Sequence, residues 1–198
     1  MTRTVAAFDF DGTLTRRDTL LPFLASMVGW RRVAQALGPE AVTLARDRDV
    51  AKERLLVRLL NGLPNAEVRG AGTAFATTVR ISPEMQSRLA WHRREGHEVV
   101  IVSASLDAYL LDVAERIGVE HTLCTSVEVD ATGKCTGRLL GGNCRGPEKA
   151  KRLRTHLGDG DIVLWAYGDS AGDREMLALA DHPVRTKRGR LSASVVDS

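Results

Sequence analysis

Cysteine, proline and aromatic residues are all scarce in this chain: three, six and 5% of 198 residues. The three cysteines, Cys124, Cys135 and Cys144, cannot all pair within one chain, and none stands in a C-x-x-C. That leaves a disulfide scaffold and a structural zinc site poorly supported and makes a reducing compartment the default. The five histidines show no metal-ligand spacing. Neither sign of charge dominates, since 28 basic against 25 acidic residues leave +3, which calls for neither nucleic acid nor an anionic membrane. The basic cluster Lys187-Arg188-Gly189-Arg190 lacks interleaved aromatics and reads as a solvated tail. Long apolar runs are missing too. The longest candidate, Leu20 to Trp30, falls short of the ~18–20 residues that cross a bilayer. Met1-Thr2-Arg3-Thr4 leads straight into an apolar run, so no signal peptide and a cytoplasmic location are expected.

With 43% hydrophobic and 27% charged residues, the chain suits one core of ordinary size plus a small appendage. Five short apolar runs read as buried strands: Val5–Phe10, Glu98–Val102, Glu120–Cys124, Ile162–Tyr167 and Pro183–Thr186. Helical patterns separate the later ones. Ser82-Pro83 opens one that runs toward Gly96. Ser105 is placed to cap another, whose stripe Leu106, Tyr109, Leu110, Val113 and Ile117 stops at Gly118. Pro147–Leu157 and Ala171–Ala180 are the remaining two.

Such alternation predicts an α/β fold, a Rossmann-like doubly wound parallel sheet of order 3-2-1-4-5. A β-hairpin near residues 127–142 turns at Asp130-Ala131-Thr132-Gly133. Residues 16–81 break the rhythm and read as a helical cap of three or four helices, broken at Gly29, Gly38-Pro39 and Gly62-Leu63-Pro64. The predicted core is then 1–15 together with 82–198. From Arg16 to Leu60 there are nine basic and five acidic residues. Two readings stay open: solvated helix faces, or a basic lid over an anionic substrate. The apolar segment Leu20–Trp30 is expected to pack in the core of the cap rather than lie on a membrane.

Phe8-Asp9-Phe10-Asp11-Gly12-Thr13 places two carboxylates where an apolar strand meets a glycine turn. No further ligands follow at calcium-loop spacing. Gly168-Asp169-Ser170-Ala171-Gly172-Asp173 repeats the design after the fourth strand. Strand order 3-2-1-4-5 sets the first and fourth strands side by side, bringing Asp9, Asp11, Asp169 and Asp173 to one crevice. Carboxylates so close need a cation, and all-oxygen donors favour Mg²⁺. Ser103-Ala104-Ser105 ends the second strand with a hydroxyl and free backbone N–H groups, an anion site. Lys149 stands in a helix's first turn, where the dipole disfavours it unless something anionic lies near.

These four stretches, in this order, resemble the motifs of the haloacid dehalogenase-like superfamily. The helical insert and the Asn143-Cys144-Arg145-Gly146-Pro147-Glu148-Lys149 run resemble its phosphoserine-phosphatase-like subfamily IB. The resemblance spans about residues 5–180. It implies a Mg²⁺-dependent phosphatase with Asp9 as nucleophile and Asp11 as general acid and base. Mg²⁺ would be held by Asp9, the main-chain carbonyl of Asp11 and Asp169, with Asp173 in support. Gly12, Ser103, Ala104 and Lys149 would hold the phosphoryl group, and Arg17 and Asp18 would read the leaving group. The chain departs from the phosphoserine phosphatase pattern at Ala104 and Ser105, where two glycines are usual, and at Asp18, where a glutamate is usual. Arg145 competes with Lys149 for the role of third-motif cation, and Lys149 is preferred for its Gly-x-x-Lys setting. The implied substrate is a small phosphorylated metabolite such as phosphoserine or histidinol phosphate. The alternatives are a peripheral lipid-phosphate phosphatase of the phosphatidylglycerophosphate type and a non-catalytic binding module. No nucleic acid and no stable membrane insertion are expected.

Overall fold

Alternating side chains on short apolar strands decide the architecture. The computed structural model describes residues 2–192, so Met1 and residues 193–198 of the predicted core lie outside the described residues. Strands β1 (Arg3–Phe8), β2 (Glu98–Leu106), β3 (His121–Val129), β4 (Cys135–Leu140), β5 (Ile162–Gly168) and β6 (His182–Arg185) form one sheet ordered β4-β3-β2-β1-β5-β6. Every neighbouring pair is parallel except β3–β4. The five predicted strands thus take the predicted order, and the hairpin adds β4 as an antiparallel edge. Val5, Ala7, Val100, Val102, Leu164 and Ala166 face one side of the sheet, while Ala6, Phe8, Val99 and Ile101 face the other. Both faces are therefore buried under helices, which is why these strands read as continuous apolar runs.

The helices start and stop where side chains satisfy their ends. Ser82 Oγ accepts from the Met85 N–H to open α6 (Pro83–Arg94). α7 covers Asp107–Arg116, and α8 covers Pro147–Leu157 between Gly146 and Gly158. Several boundaries differ from the sequence reading, beginning with β1, which ends at Phe8 rather than Phe10. β3 and the first arm of the hairpin are one continuous strand, closed by Asp130, whose Oδ1 accepts from the Thr132 and Lys134 N–H groups. The helix expected over Ala171–Ala180 is a 3₁₀ turn, Ala171–Asp173, followed by the short α9 (Arg174–Leu177). The Ser105 hydroxyl caps nothing, because β2 runs on to Leu106.

The helical insert holds α1 (Leu20–Val28), α2 (Trp30–Leu37), α3 (Ala41–Arg46), α4 (Arg48–Leu60) and α5 (Asn65–Ala76). That makes five helices rather than three or four. The predicted breaks all occur. The extra one is at Asp47, an extended residue whose Oδ1 accepts from Asp49 and Val50 N–H at the start of α4. Phe23 and Leu24 are fully buried, so α1 packs into the core as expected, while Trp30 remains 62% exposed. Among the described residues, no helix is long and apolar enough to cross a membrane.

Two close approaches fix the insert over the sheet. A Cβ on Gly72 of α5 would lie 1.8 Å from the Ala108 carbonyl oxygen of α7. A Cβ on Gly137 of β4 would lie 2.3 Å from Val57 Cα of α4. The turn after α4 is also sewn to the hairpin, with Gly62 N–H donating to Cys135 O and Cys135 N–H to Leu63 O, each at 2.9 Å. Gly72→Ala should therefore push α5 off α7 and cost about 1–3 kcal/mol, the usual range for overpacking, read as a lower urea midpoint.

On the insert-facing side of the sheet, His92 Nε2 lies 2.8 Å from the Tyr167 hydroxyl and its Nδ1 lies 2.8 Å from His97 Nδ1. Burial pushes His92 down to about 3, with His97 and Arg88 adding to the effect. The unfolded chain binds a proton at this residue below about pH 6.5 and the folded chain does not until about 3. Stability from a neutral His92 is thus complete above pH 6.5 and is lost as pH falls through that window. Urea midpoints of wild type should fall from pH 6.5 to 4, and His92→Gln should flatten that slope.

Candidate active site

Asp9 leaves the carboxyl end of β1 with its N–H donating to Tyr167 O at 2.9 Å, so the β5 backbone fixes its height. The chain then turns at Gly12, whose φ of +81° favours glycine. A Cβ there would stand 2.1 Å from Asp169 Oδ2. The loops after β1 and β5 therefore press together, as the strand order required. Gly189 steadies the same turn by donating its N–H to Gly12 O at 2.8 Å. The basic cluster at 187–190 is consequently not a free solvated tail, and Arg188 lines the same cavity as Asp9.

Lys149 Nζ donates to Asp9 Oδ1 at 2.7 Å and to Asp173 Oδ1 at 2.5 Å, with all three residues buried. Burial works against the Lys149 charge, but the charges of Asp9 and Asp173 outweigh it and raise its pKa. This is the anionic surrounding that its place in the first turn of α8 demanded. Burial also raises Asp173, yet Lys149 and the hydrogen bonds from Ser170 hold it below its ordinary value. Its Oδ2 accepts from the Asp169 and Ser170 N–H groups and the Ser170 hydroxyl, so Asp173 shapes the loop as well as pairing with Lys149. Arg145 sits 4.0 Å from Asp49 in the insert. The cation that touches Asp9 is Lys149.

Carboxylate oxygens of Asp9, Asp169 and Asp173 lie within 4.8 Å of one another. One lysine neutralises only part of this charge. Burial raises Asp9, Lys149 pulls it down, and Asp173 pushes it up again, with a net rise. Asp169 is raised by burial and by Asp173. A set of hard oxygens still short of two positive charges after Lys149 is counted fits a divalent cation such as Mg²⁺.

The Asp11 carboxylate is not among the grouped carboxylates and belongs to a separate cluster. Its Oδ1 accepts from the Thr19 N–H at 2.9 Å and the Thr19 hydroxyl at 2.7 Å, and its Oδ2 accepts from Ser105 Oγ at 2.6 Å. Thr19 Oγ1 lies in turn 2.9 Å from the Tyr109 hydroxyl. Burial and the charge of Asp18 push Asp11 up to about 6 against these hydrogen bonds. Thr19 carries no signal in the sequence, Tyr109 reads there as part of an apolar helical stripe, and Ser105 reads as a helix cap. It holds Asp11 because Ser103 Oγ accepts the Ser105 N–H at 3.0 Å, keeping this stretch extended.

Ser103 and Ala104 line the cavity on the β2 side. The insert reaches them through Lys52, which donates to Ala104 O and, at 2.8 Å, to Asn143 Oδ1. Asn143 Nδ2 donates to Asp49 at 2.7 Å and its Oδ1 also accepts from Thr125 at 3.0 Å. Burial lowers Lys52 to about 8, although Asp11 and Asp49 favour its charge. Lys52 carried no local signal, being one of nine basic residues in a charged helical run. Arg16, Arg17 and Asp18 stand at the cavity, and Asp18 Oδ1 accepts from the Leu20 N–H at the start of α1.

The chain is similar to known proteins over most of its length. CicA of Caulobacter vibrioides is 34% identical over 184 residues, covering 89% of this chain and 83% of that protein. The probable phosphatase Rv3661 of Mycobacterium tuberculosis is 30% identical over 211 residues, covering 98% and 73%. A phosphoserine phosphatase solved as a phospho-aspartyl intermediate analogue superposes with a TM-score of 0.64 at 21% identity, over 93% of this chain and 86% of that one, a likeness of fold. The family model of haloacid dehalogenase-like hydrolases matches residues 6–178, from the second half of β1 through the insert and the acidic loop after β5 to α9; the chain belongs to that family.

Proposed function

We propose that the chain is a Mg²⁺-dependent phosphatase that hydrolyses a phosphate monoester through an aspartyl-phosphate on Asp9. One observation carries the reading. Two aspartates only two residues apart occupy different environments at one cavity, Asp9 on Lys149 and Asp11 on Thr19 and Ser105. That is the division of labour between a nucleophile and a proton carrier. The relative named a probable phosphatase agrees with it.

Asp9, through the oxygen that Lys149 does not occupy, attacks phosphorus as the bond to the leaving oxygen breaks. Asp11 gives its proton to that oxygen, and its elevated pKa favours holding the proton beforehand. Water then attacks phosphorus, Asp11 takes its proton, and Asp9 is released with inorganic phosphate. Lys149, Ser103 and the backbone N–H groups near Gly12 and Ala104 hold the phosphoryl oxygens as charge develops. Asp9, Asp169 and the Asp11 carbonyl, with Asp173 in support, would hold Mg²⁺, which supplies positive charge to the phosphoryl oxygens. Arg17 faces the leaving-group side of the cavity. Asp18 contributes there by fixing the first turn of α1.

Release of phosphate from p-nitrophenyl phosphate should require Mg²⁺ and stop on addition of EDTA; full activity in metal-free buffer contradicts the mechanism. The two aspartates should also separate in a labelling experiment. Asp9→Asn should form no covalent phosphoenzyme. Asp11→Asn should still form one while losing about 10²–10⁴-fold in turnover, so equal labelling of the two variants would reverse the assigned roles.

A further inference from the structure

The cavity above Asp9 has a volume of about 770 Å³, far more than a phosphate group fills. Its floor is polar and comes from the sheet loops. Its roof comes from the insert, and there the lining is largely hydrocarbon: Leu20 and Leu21 of α1, Trp30 and Leu37 of α2, Leu44 of α3 and Leu55 of α4. Trp30 and Leu44 keep 62% and 46% of their surface exposed while lining this cavity.

The insert's charged groups at this cavity are mostly committed to the protein itself. Glu40 accepts from Arg58 at 3.1 Å, Asp49 from Asn143 at 2.7 Å, and Lys52 donates to Ala104 and Asn143. Asp18 holds the Leu20 N–H. A charged amino-acid leaving group needs its own anion and cation to replace water. The acidic groups on the roof, Glu40, Asp49 and Asp18, each already accept a hydrogen bond from the chain itself. Arg16, Arg17, Arg48 and Arg188 make no side-chain hydrogen bond or ion pair among the described residues, and they surround the same cavity. They draw an anionic head toward the floor without binding an ammonium group.

We infer that the substrate is an amphiphilic phosphate monoester, its phosphate on Asp9 and an apolar leaving group lying along Leu20, Leu21, Trp30, Leu37 and Leu44. This rests on the phosphatase reading above and narrows it away from phosphoserine. Each methylene that leaves water for this roof strengthens binding of ground and transition states alike, so kcat/KM should climb with chain length while kcat changes little. The limit is about fourfold per methylene, from ~0.8 kcal/mol per buried CH₂.

The test measures Mg²⁺-dependent phosphate release from ethyl, butyl and hexyl phosphate as monomers, alongside phosphoserine and p-nitrophenyl phosphate. The inference expects kcat/KM to rise at least about tenfold from ethyl to hexyl phosphate, and phosphoserine to be turned over more poorly than hexyl phosphate. Leu44→Asp, at a half-exposed position that a polar residue can occupy without unfolding the chain, should lower the hexyl-to-ethyl ratio. A second arm offers phosphatidic acid in phosphatidylcholine vesicles. Hydrolysis there identifies a membrane lipid as the source of the amphiphile, whereas hydrolysis of the monomeric esters alone identifies a soluble one. A flat or falling chain-length series, an unchanged ratio in Leu44→Asp, or a preference for phosphoserine overturns the inference and leaves the phosphatase standing. No release from any ester overturns the phosphatase reading itself.

Discussion

The burial of Lys149 between Asp9 and Asp173 is the constraint on which the site depends. An ammonium group taken out of water is costly unless paired, and the start of a helix adds to that cost. Two carboxylates offset both, and they arrive from different strands, Asp9 after β1 and Asp173 after β5. Removing one partner of such a buried pair leaves an uncompensated charge, typically a loss of about 3–5 kcal/mol. The triad therefore locks two loops and the start of α8 to one another, and the position of Asp9 is a consequence of fold stability. Asp169 follows from the same closure, pressed against Gly12 because nothing larger than a hydrogen fits there.

Around this fixed floor, the insert is held by contacts that leave little slack. Gly72 and Gly137 admit backbone at distances no side chain would allow. Asn143 collects Lys52, Asp49 and Thr125 at a point where the insert meets the sheet loops. Thr19, at the entry to α1, holds Asp11. Asp11 is thus held by the insert as well as by Ser105, and Asp9 by the sheet side alone. Any change in the insert's seating bears on Asp11 and on the insert-lined side of the cavity before it bears on Asp9.

Much of this was legible in the sequence, for local reasons. Apolar runs of strand length followed by acidic glycine turns mark strand ends in an open parallel sheet, and the order of the strands then brings Asp9, Asp169 and Asp173 together. Lys149 stood out because its position conflicts with the helix dipole unless anions lie near. Breaks at Gly29, Gly38 and Gly62 were readable because glycine and proline act on their own backbone. Asp47 also caps through its own side chain, yet an aspartate in a charged run is hard to tell from a solvated one.

Other assignments needed the tertiary structure. Ser105 has the right residue type for a helix cap, but a partner 94 residues away in sequence, Asp11, takes its hydroxyl. Lys52 looks like any surface lysine until α4 is laid across Ala104 and Asn143. Arg188 and Gly189 look like a tail until Gly12 O accepts the Gly189 N–H and Arg188 comes to the cavity. Chain-local chemistry, such as strand periodicity, turn residues and the charge pattern of a motif, is written in the sequence itself. Which hydroxyl, ammonium or leucine faces a given carboxylate is settled only when packing brings distant segments within hydrogen-bond or van der Waals reach, because those forces vanish over a few ångströms.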